Sequence, residues 1–174
     1  MYILKPDEKT TPVMLYTQDT LVSGEAVTKK NISRVNIWLR NDGAPKYMHL
    51  LKPRVVVFDR GPAPITLTYS ELYFPVSQVI AFHTMPPTDE PLDYDPTEAN
   101  RMMQDVHVLV GAFVMKGKIR VSTQTEVVQS LEMAGAAWRS LYDVEVANLH
   151  ISQMPAFQTP MALFNPTRVA FAVT

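Results

Sequence analysis

Short apolar stretches of strand character run along this chain in two parallel series. "TLVSG" closes on Gly24 and "FVMKG" on Gly117, and each is followed by a polar stretch. Asn31 or Ser33 is placed to cap a helix in the first series. In the second, Thr123 and Glu126 have the spacing of a reciprocal capping pair. A helical pattern comes next. Val35, Trp38 and Leu39 fall on one helix face, as do Val127, Val128 and Leu131. Both helices are expected to stop at a glycine, Gly43 and Gly135, where a left-handed residue costs least.

A long extended segment follows in each series: "KYMHLLKPRVVVFD" and "WRSLYDVEVANLHI". Both are rich in β-branched and aromatic residues, which fit a pleated surface. In the second, Tyr142, Val144 and Val146 share one phase, and Leu149 and Ile151 share the other. That switch predicts a bulge or bend near Ala147–Asn148. Pro53 sits at the corresponding place in the first series, where a central strand holds proline poorly. A proline turn comes next, "RGPAP" or "QMPAF", and then a closing strand: Phe74, Val79 and "IAFH" against Phe164, Val169 and "AFAV".

The expected fold is therefore mainly β, in two tandem small barrel-like repeats. Each has four or five short strands and one inserted helix. The repeats span residues 13–83 and 106–174, with an N-terminal tail at 1–12 and a linker at 84–105. Units this small have limited cores, so they are expected to lean on each other or on further copies. The succession of short bent strands in each repeat resembles the Sm-like small barrels. That resemblance implies edge-to-edge assembly of a homo-oligomer into a ring. The family's Asp-x-x-Met/Leu-Asn stretch is not matched by "ISRVNIWLRND", and Arg60–Gly61 falls in a turn. No RNA-binding residue is therefore carried over.

Composition narrows the field. Of 174 residues, 47% are hydrophobic, 19% are charged, and the net charge is -1. No global charge marks a nucleic-acid or membrane-surface protein. There is no cysteine, which excludes disulfides, thiolate nucleophiles and iron–sulfur clusters. No signal peptide or apolar span is visible, and a cytoplasmic location is expected. The linker carries Asp89, Glu90, Asp93, Asp95, Glu98 and Asp105 against Arg101, with a short helix expected at Glu98–Gln104. The "DYDPTE" run lacks the glycine and remaining ligands of a calcium loop and reads as solvated acid. Met102 and Met103 are expected to help dock this segment.

The charge within the first repeat is uneven. Residues 20–60 hold Lys29, Lys30, Arg34, Arg40, Lys46, Lys52, Arg54 and Arg60 against Glu25, Asp42 and Asp59. The corresponding stretch 113–153 balances. This basic first repeat is either an anion or nucleic-acid surface or a face that the acidic linker or a neighbouring subunit covers. Its candidate contacts are Arg34, Arg40, Lys46 and Arg54.

Catalytic signals are weak. His49, His83, His107 and His150 form no H-x-H or H-E-x-x-H pair, so no metal site is expected. There is no nucleophile elbow and no glycine-rich phosphate loop. Glu71, Asp143 and Glu145 lie in apolar strands and read as exposed-face residues. No cofactor is expected. The leading reading is a non-catalytic oligomeric assembly or binding module. Nucleic-acid binding through the first repeat is one alternative. A small-molecule binder or enzyme with a pocket between the repeats is another.

Overall fold

The computed structural model describes residues 2–40, 43–58, 61, 63–87, 90–133, 138–151 and 154–173. The long β-branched segments form strands, and each strand finds its neighbours by antiparallel pairing. The strands are β1 (Glu8–Tyr16), β2 (Thr20–Lys29), β3 (Tyr47–Val57), β4 (Ile65–Thr68), β5 (Glu71–Pro75) and β6 (Ala81–Thr84). After the linker come β7 (Arg101–Val110), β8 (Phe113–Ser122), β9 (Arg139–Asn148), β10 (Phe157–Phe164) and β11 (Ala170–Val173). One helix, α1 (Val127–Met133), lies between β8 and β9. No helix among the described residues is long and apolar enough to cross a membrane.

The protein is mainly β. All eleven strands belong to one sheet, ordered β11-β7-β8-β9-β10-β6-β1-β2-β3-β4, with β5 also on β3. The two halves pair in a similar order, except that β4, which pairs β3, has no counterpart among the described residues of the second half. β2 lies between β1 and β3, β3 pairs β5, and β1 pairs β6. Correspondingly, β8 lies between β7 and β9, β9 pairs β10, and β7 pairs β11. The register agrees as well. Val13 faces Gly24 on one side and Thr84 on the other. Val106 faces Gly117 and Val173 in the same way. A single 3₁₀ turn precedes each closing strand, Val76–Gln78 and Pro166–Arg168.

Several expectations are corrected here. Gly24 and Gly117 do not end strands but sit inside β2 and β8. Each faces two residues of the next strand: Lys52 and Pro53 oppose Gly24, and Asp143 and Val144 oppose Gly117. The bulge of β9 is thus at Asp143, while the chain bends at Leu149–His150, just after Asn148. Pro53 is held inside β3 because its missing N–H falls at the corresponding bulge. The first helix is only a 3₁₀ turn, Trp38–Arg40. β-branched Val35 and Ile37 and the short span give a longer helix little support. Val35, Trp38 and Leu39 are nonetheless buried. Gly43 has φ 91°, while Gly135 lies outside the described residues. α1 starts after Glu126, so the Thr123–Glu126 pair precedes it.

Two boundaries also move. Residues 8–12 of the expected tail belong to β1, where Pro12 faces Glu25. The helix expected at 98–104 is replaced from Arg101 onward by β7, because Arg101–Asp105 find partners in Ser122–Lys118. Long-range pairing overrides the local helical pattern there.

The two cores borrow from each other. One gathers Phe113, Met115, Leu141 and Val146 of the second half with Tyr16, Leu21 and Ile80 of the first. The other gathers Val13, Met48, Leu50 and Trp38 of the first half with Trp138 and Leu163 of the second. Tyr16 and Phe58 both meet Phe113 edge-on, at 5.0 and 5.2 Å between ring centroids. Burying a side chain of that size contributes about 2–3 kcal/mol. The halves join directly where β6 pairs β10, Phe82 opposite Leu163 and Ala81 opposite Phe164. Arg168 ties the same junction by donating to the carbonyls of Ser77 and Val79.

Candidate functional site: a linker clasp over an arginine-lined cavity

The acidic linker is folded onto both halves. The Glu90 carboxylate accepts hydrogen bonds from the backbone amides of Val35 and Asn36, at 3.0 and 2.6 Å. The Pro91 carbonyl accepts from Arg34 Nη2 at 2.6 Å. Asp93 is the hub, with a side chain only 5% exposed. Its Oδ1 accepts from Tyr142 Oη at 2.7 Å and its Oδ2 from Ser140 Oγ at 2.7 Å. Arg40 closes the hub as an ion pair with Oδ2. A carboxylate so enclosed is tolerable because its lone pairs are met by hydroxyl and guanidinium donors. The Tyr142 hydroxyl is held well above its ordinary pKa, first by burial and then by its bond to Asp93.

Beside this hub lies a cavity of about 470 Å³. The linker contributes Asp93, Tyr94 and Glu98; β7 and β8 contribute Arg101 and Arg120; β9 contributes Arg139. Arg40 reaches its rim from the first half. Arg120 pairs with Glu98 at 2.7 Å and stacks over the Tyr94 ring, 4.9 Å from its centroid. Arg101 pairs with Glu98 at 3.2 Å. Arg139 differs from the other three. Its Nη2 donates to the Ser130 and Leu131 carbonyls of α1, at 2.8 and 3.4 Å. No carboxylate is within ion-pair reach among the described residues, and its Nε is buried without a partner. Burial, then the charges of Arg40 and Arg101, pull its pKa below the ordinary guanidinium value.

Of the four basic residues read from the sequence, the structure brings none of the others to Arg40. Arg34 is tied to Pro91, and Lys46 and Arg54 are exposed elsewhere. Arg60 lies outside the described residues. Arg101, Arg120 and Arg139 were not singled out in the sequence. A signal for Arg139 existed, however: by register it occupies in β9 the place that fully buried Met48 occupies in β3. Met48 faces Phe74 across the sheet, and Arg139 faces Phe164.

The histidines are dispersed. His49 pairs with Glu71 at 3.2 Å and stacks on Tyr73. His83 is fully buried: Nε2 accepts from Tyr16 Oη at 2.9 Å and Nδ1 donates to the Thr84 carbonyl. Burial pulls its pKa down to about 4. No cluster that could hold a metal occurs among the described residues. Asp143 is exposed and pairs with Lys118, and half-buried Glu145 pairs with Lys116.

Among the described residues three strands have one neighbour each. β4 and β5 pair only with β3, and β11 only with β7. On β5 Tyr73 is 58% exposed, and Tyr47 of the adjoining β3 is 60% exposed. Val173 is 54% exposed on β11. Compared with known families, curated proteins and solved structures, the chain matches none.

Proposed function

We propose that this protein is a homo-oligomeric assembly module made of two tandem small barrel-like repeats. The β6–β10 junction carries the reading. It joins the closing strand of one half to the fourth-position strand of the other. The matching strands, β11 and β5, each have an unpaired edge among the described residues, so the same junction is available between chains. By register, Phe171 would face Tyr73 and Ala170 would face Phe74, as Phe82 faces Leu163 and Ala81 faces Phe164. Such a contact is head-to-tail, and it closes into a ring when the rotation per chain permits. Open edges rich in apolar residues are aggregation hazards unless paired, which favours a dedicated partner strand.

The resemblance to Sm-like small barrels belongs to the same proposal. Nucleic-acid binding through the first repeat has less support. The linker engages Arg34 and Arg40, leaving Lys46 and Arg54 exposed on a different surface.

Mass measured in solution tests the assembly, with a multiple of the 19.6 kDa chain expected. The edge itself is tested by mixing Tyr73→Cys with Phe171→Cys chains under oxidation. Because the native sequence has no cysteine, a heterodimeric disulfide reports that β5 and β11 meet. A monomer at micromolar concentration overturns the proposal.

A further inference from the structure

The Arg139 cavity is the second feature of the molecule whose chemistry is incomplete. It stands apart from the strand edges and owes nothing to the assembly proposal. Arginine is costly to bury without an anion. Yet β9 places a guanidinium where β3 places a methionine, on the inward phase of the strand. Three more arginines, Arg40, Arg101 and Arg120, line the same space, against only Asp93 and Glu98. Four guanidinium groups and two carboxylates leave a local excess of two positive charges. Both carboxylates are already engaged by Arg40, Arg101 and Arg120. Arg139 receives nothing from them.

We propose that this cavity binds a compact dianionic ligand, a phosphoryl or dicarboxylate group, with Arg139 as its principal contact. Among the described residues the Nη1 edge of Arg139 makes no hydrogen bond, while Nη2 is anchored on α1. The anchored side is what holds the guanidinium plane fixed, and a fixed plane is what bidentate recognition of an oxyanion needs. Arg101, bound through Nε alone to Glu98, offers its terminal nitrogens as a second contact. The hydroxyls of Ser122, Thr125 and Ser130 also line the cavity and supply neutral polar partners. At about 470 Å³ the space falls in the range of small-molecule sites and exceeds a bare phosphate. The group therefore belongs to a small metabolite, with its uncharged part against Ile119, Val121 and Leu131.

The test uses the full chain with inorganic phosphate and with malonate as separate probes, and sodium chloride at matched ionic strength as control. Isothermal titration and thermal melting are read together. Saturable one-to-one binding of either probe, with a rise in Tm absent from the chloride control, is expected. The probe that binds tighter assigns the source as phosphoryl or carboxylate. Arg139→Met installs the residue that the first half carries at this position. It is expected to fold, to melt no lower than the native chain without ligand, and to lose at least tenfold in affinity. Arg139→Lys keeps the charge and loses the fork, so intermediate affinity is expected. No saturable response to either probe overturns the proposal, and so does an unchanged affinity in Arg139→Met.

Discussion

Lys52 and Asp143 hold the same place in the two halves of the sheet. Each is the first of two residues opposite a lone glycine, and each has a positive φ, 47° and 52°. Each also reaches the residue after that glycine. Lys52 meets Glu25 at 3.5 Å, and Asp143 meets Lys118 at 3.0 Å. The pair is conserved in position and exchanged in sign. Backbone geometry is therefore what the two halves share. Exposed charge pairs contribute little to stability, so their signs are free to change, whereas the glycine opposite each bulge is constrained by sterics.

That constraint differs in severity between the halves. A Cβ on Gly117 would come to 2.8 Å from the Tyr142 carbonyl oxygen and from Leu141 Cγ. On Gly24 the nearest atoms would be at 3.3 Å, the Leu51 carbonyl oxygen and Pro53 Cα. Gly117→Ala is expected to destabilise by about 1–3 kcal/mol, since the backbone of β9 must move. Gly24→Ala is expected to cost less. Urea unfolding of the two variants checks the order, and equal losses would overturn it.

Asp93→Ala is expected to free the linker. It leaves Tyr142 Oη, Ser140 Oγ and Arg40 without their shared acceptor. Loss of a buried acceptor costs about 1–3 kcal/mol, more where a charge is stranded. Arg40 is partly exposed and can rehydrate, so about 2 kcal/mol is expected for the whole hub. Protease digestion offers a second reading, with cleavage in residues 90–100 expected to accelerate. Alkaline titration should show Tyr142 ionising at lower pH than before, though burial, the larger cause, keeps it above the ordinary tyrosine value.

His83 makes stability pH-dependent. In the folded chain burial pulls its pKa down to about 4, whereas the unfolded chain titrates at about 6.5. Between those values the unfolded chain binds a proton that the folded chain refuses. The contribution is thus complete above about pH 6.5 and lost as pH falls to about 4. A shift of this size corresponds to about 3 kcal/mol. Carboxylates titrate near the lower end, so the comparison is with His83→Gln, whose stability between pH 7 and pH 5 should fall less than that of the native chain. Parallel slopes for the two proteins would refute the assignment.

The long strands, the closing strands and the recurrence of Gly24 at Gly117 were all legible in the residue pattern. These features depend on local preferences: β-branched runs and glycine. The same reasoning found the bend after Asn148 but not the β9 bulge at Asp143, and it read Glu98–Gln104 as helix. It also counted residues 8–12 as tail. In each case the outcome hangs on a partner far along the chain: Gly117 for Asp143, Ser122 for Arg101, Lys29 for Glu8. Arg34 and Arg40 were visible as basic residues, and the linker as acidic. That Glu90, Pro91 and Asp93 would seat on the Arg34–Arg40 segment was one of the readings the sequence left open. Only the tertiary structure decided it, because hydrogen bonds and charges at close range depend on coordinates and not on order. The gathering of Arg101, Arg120 and Arg139 is of the same kind. Three residues on three adjacent strands share one cavity only once the register of β7, β8 and β9 is set by pairing.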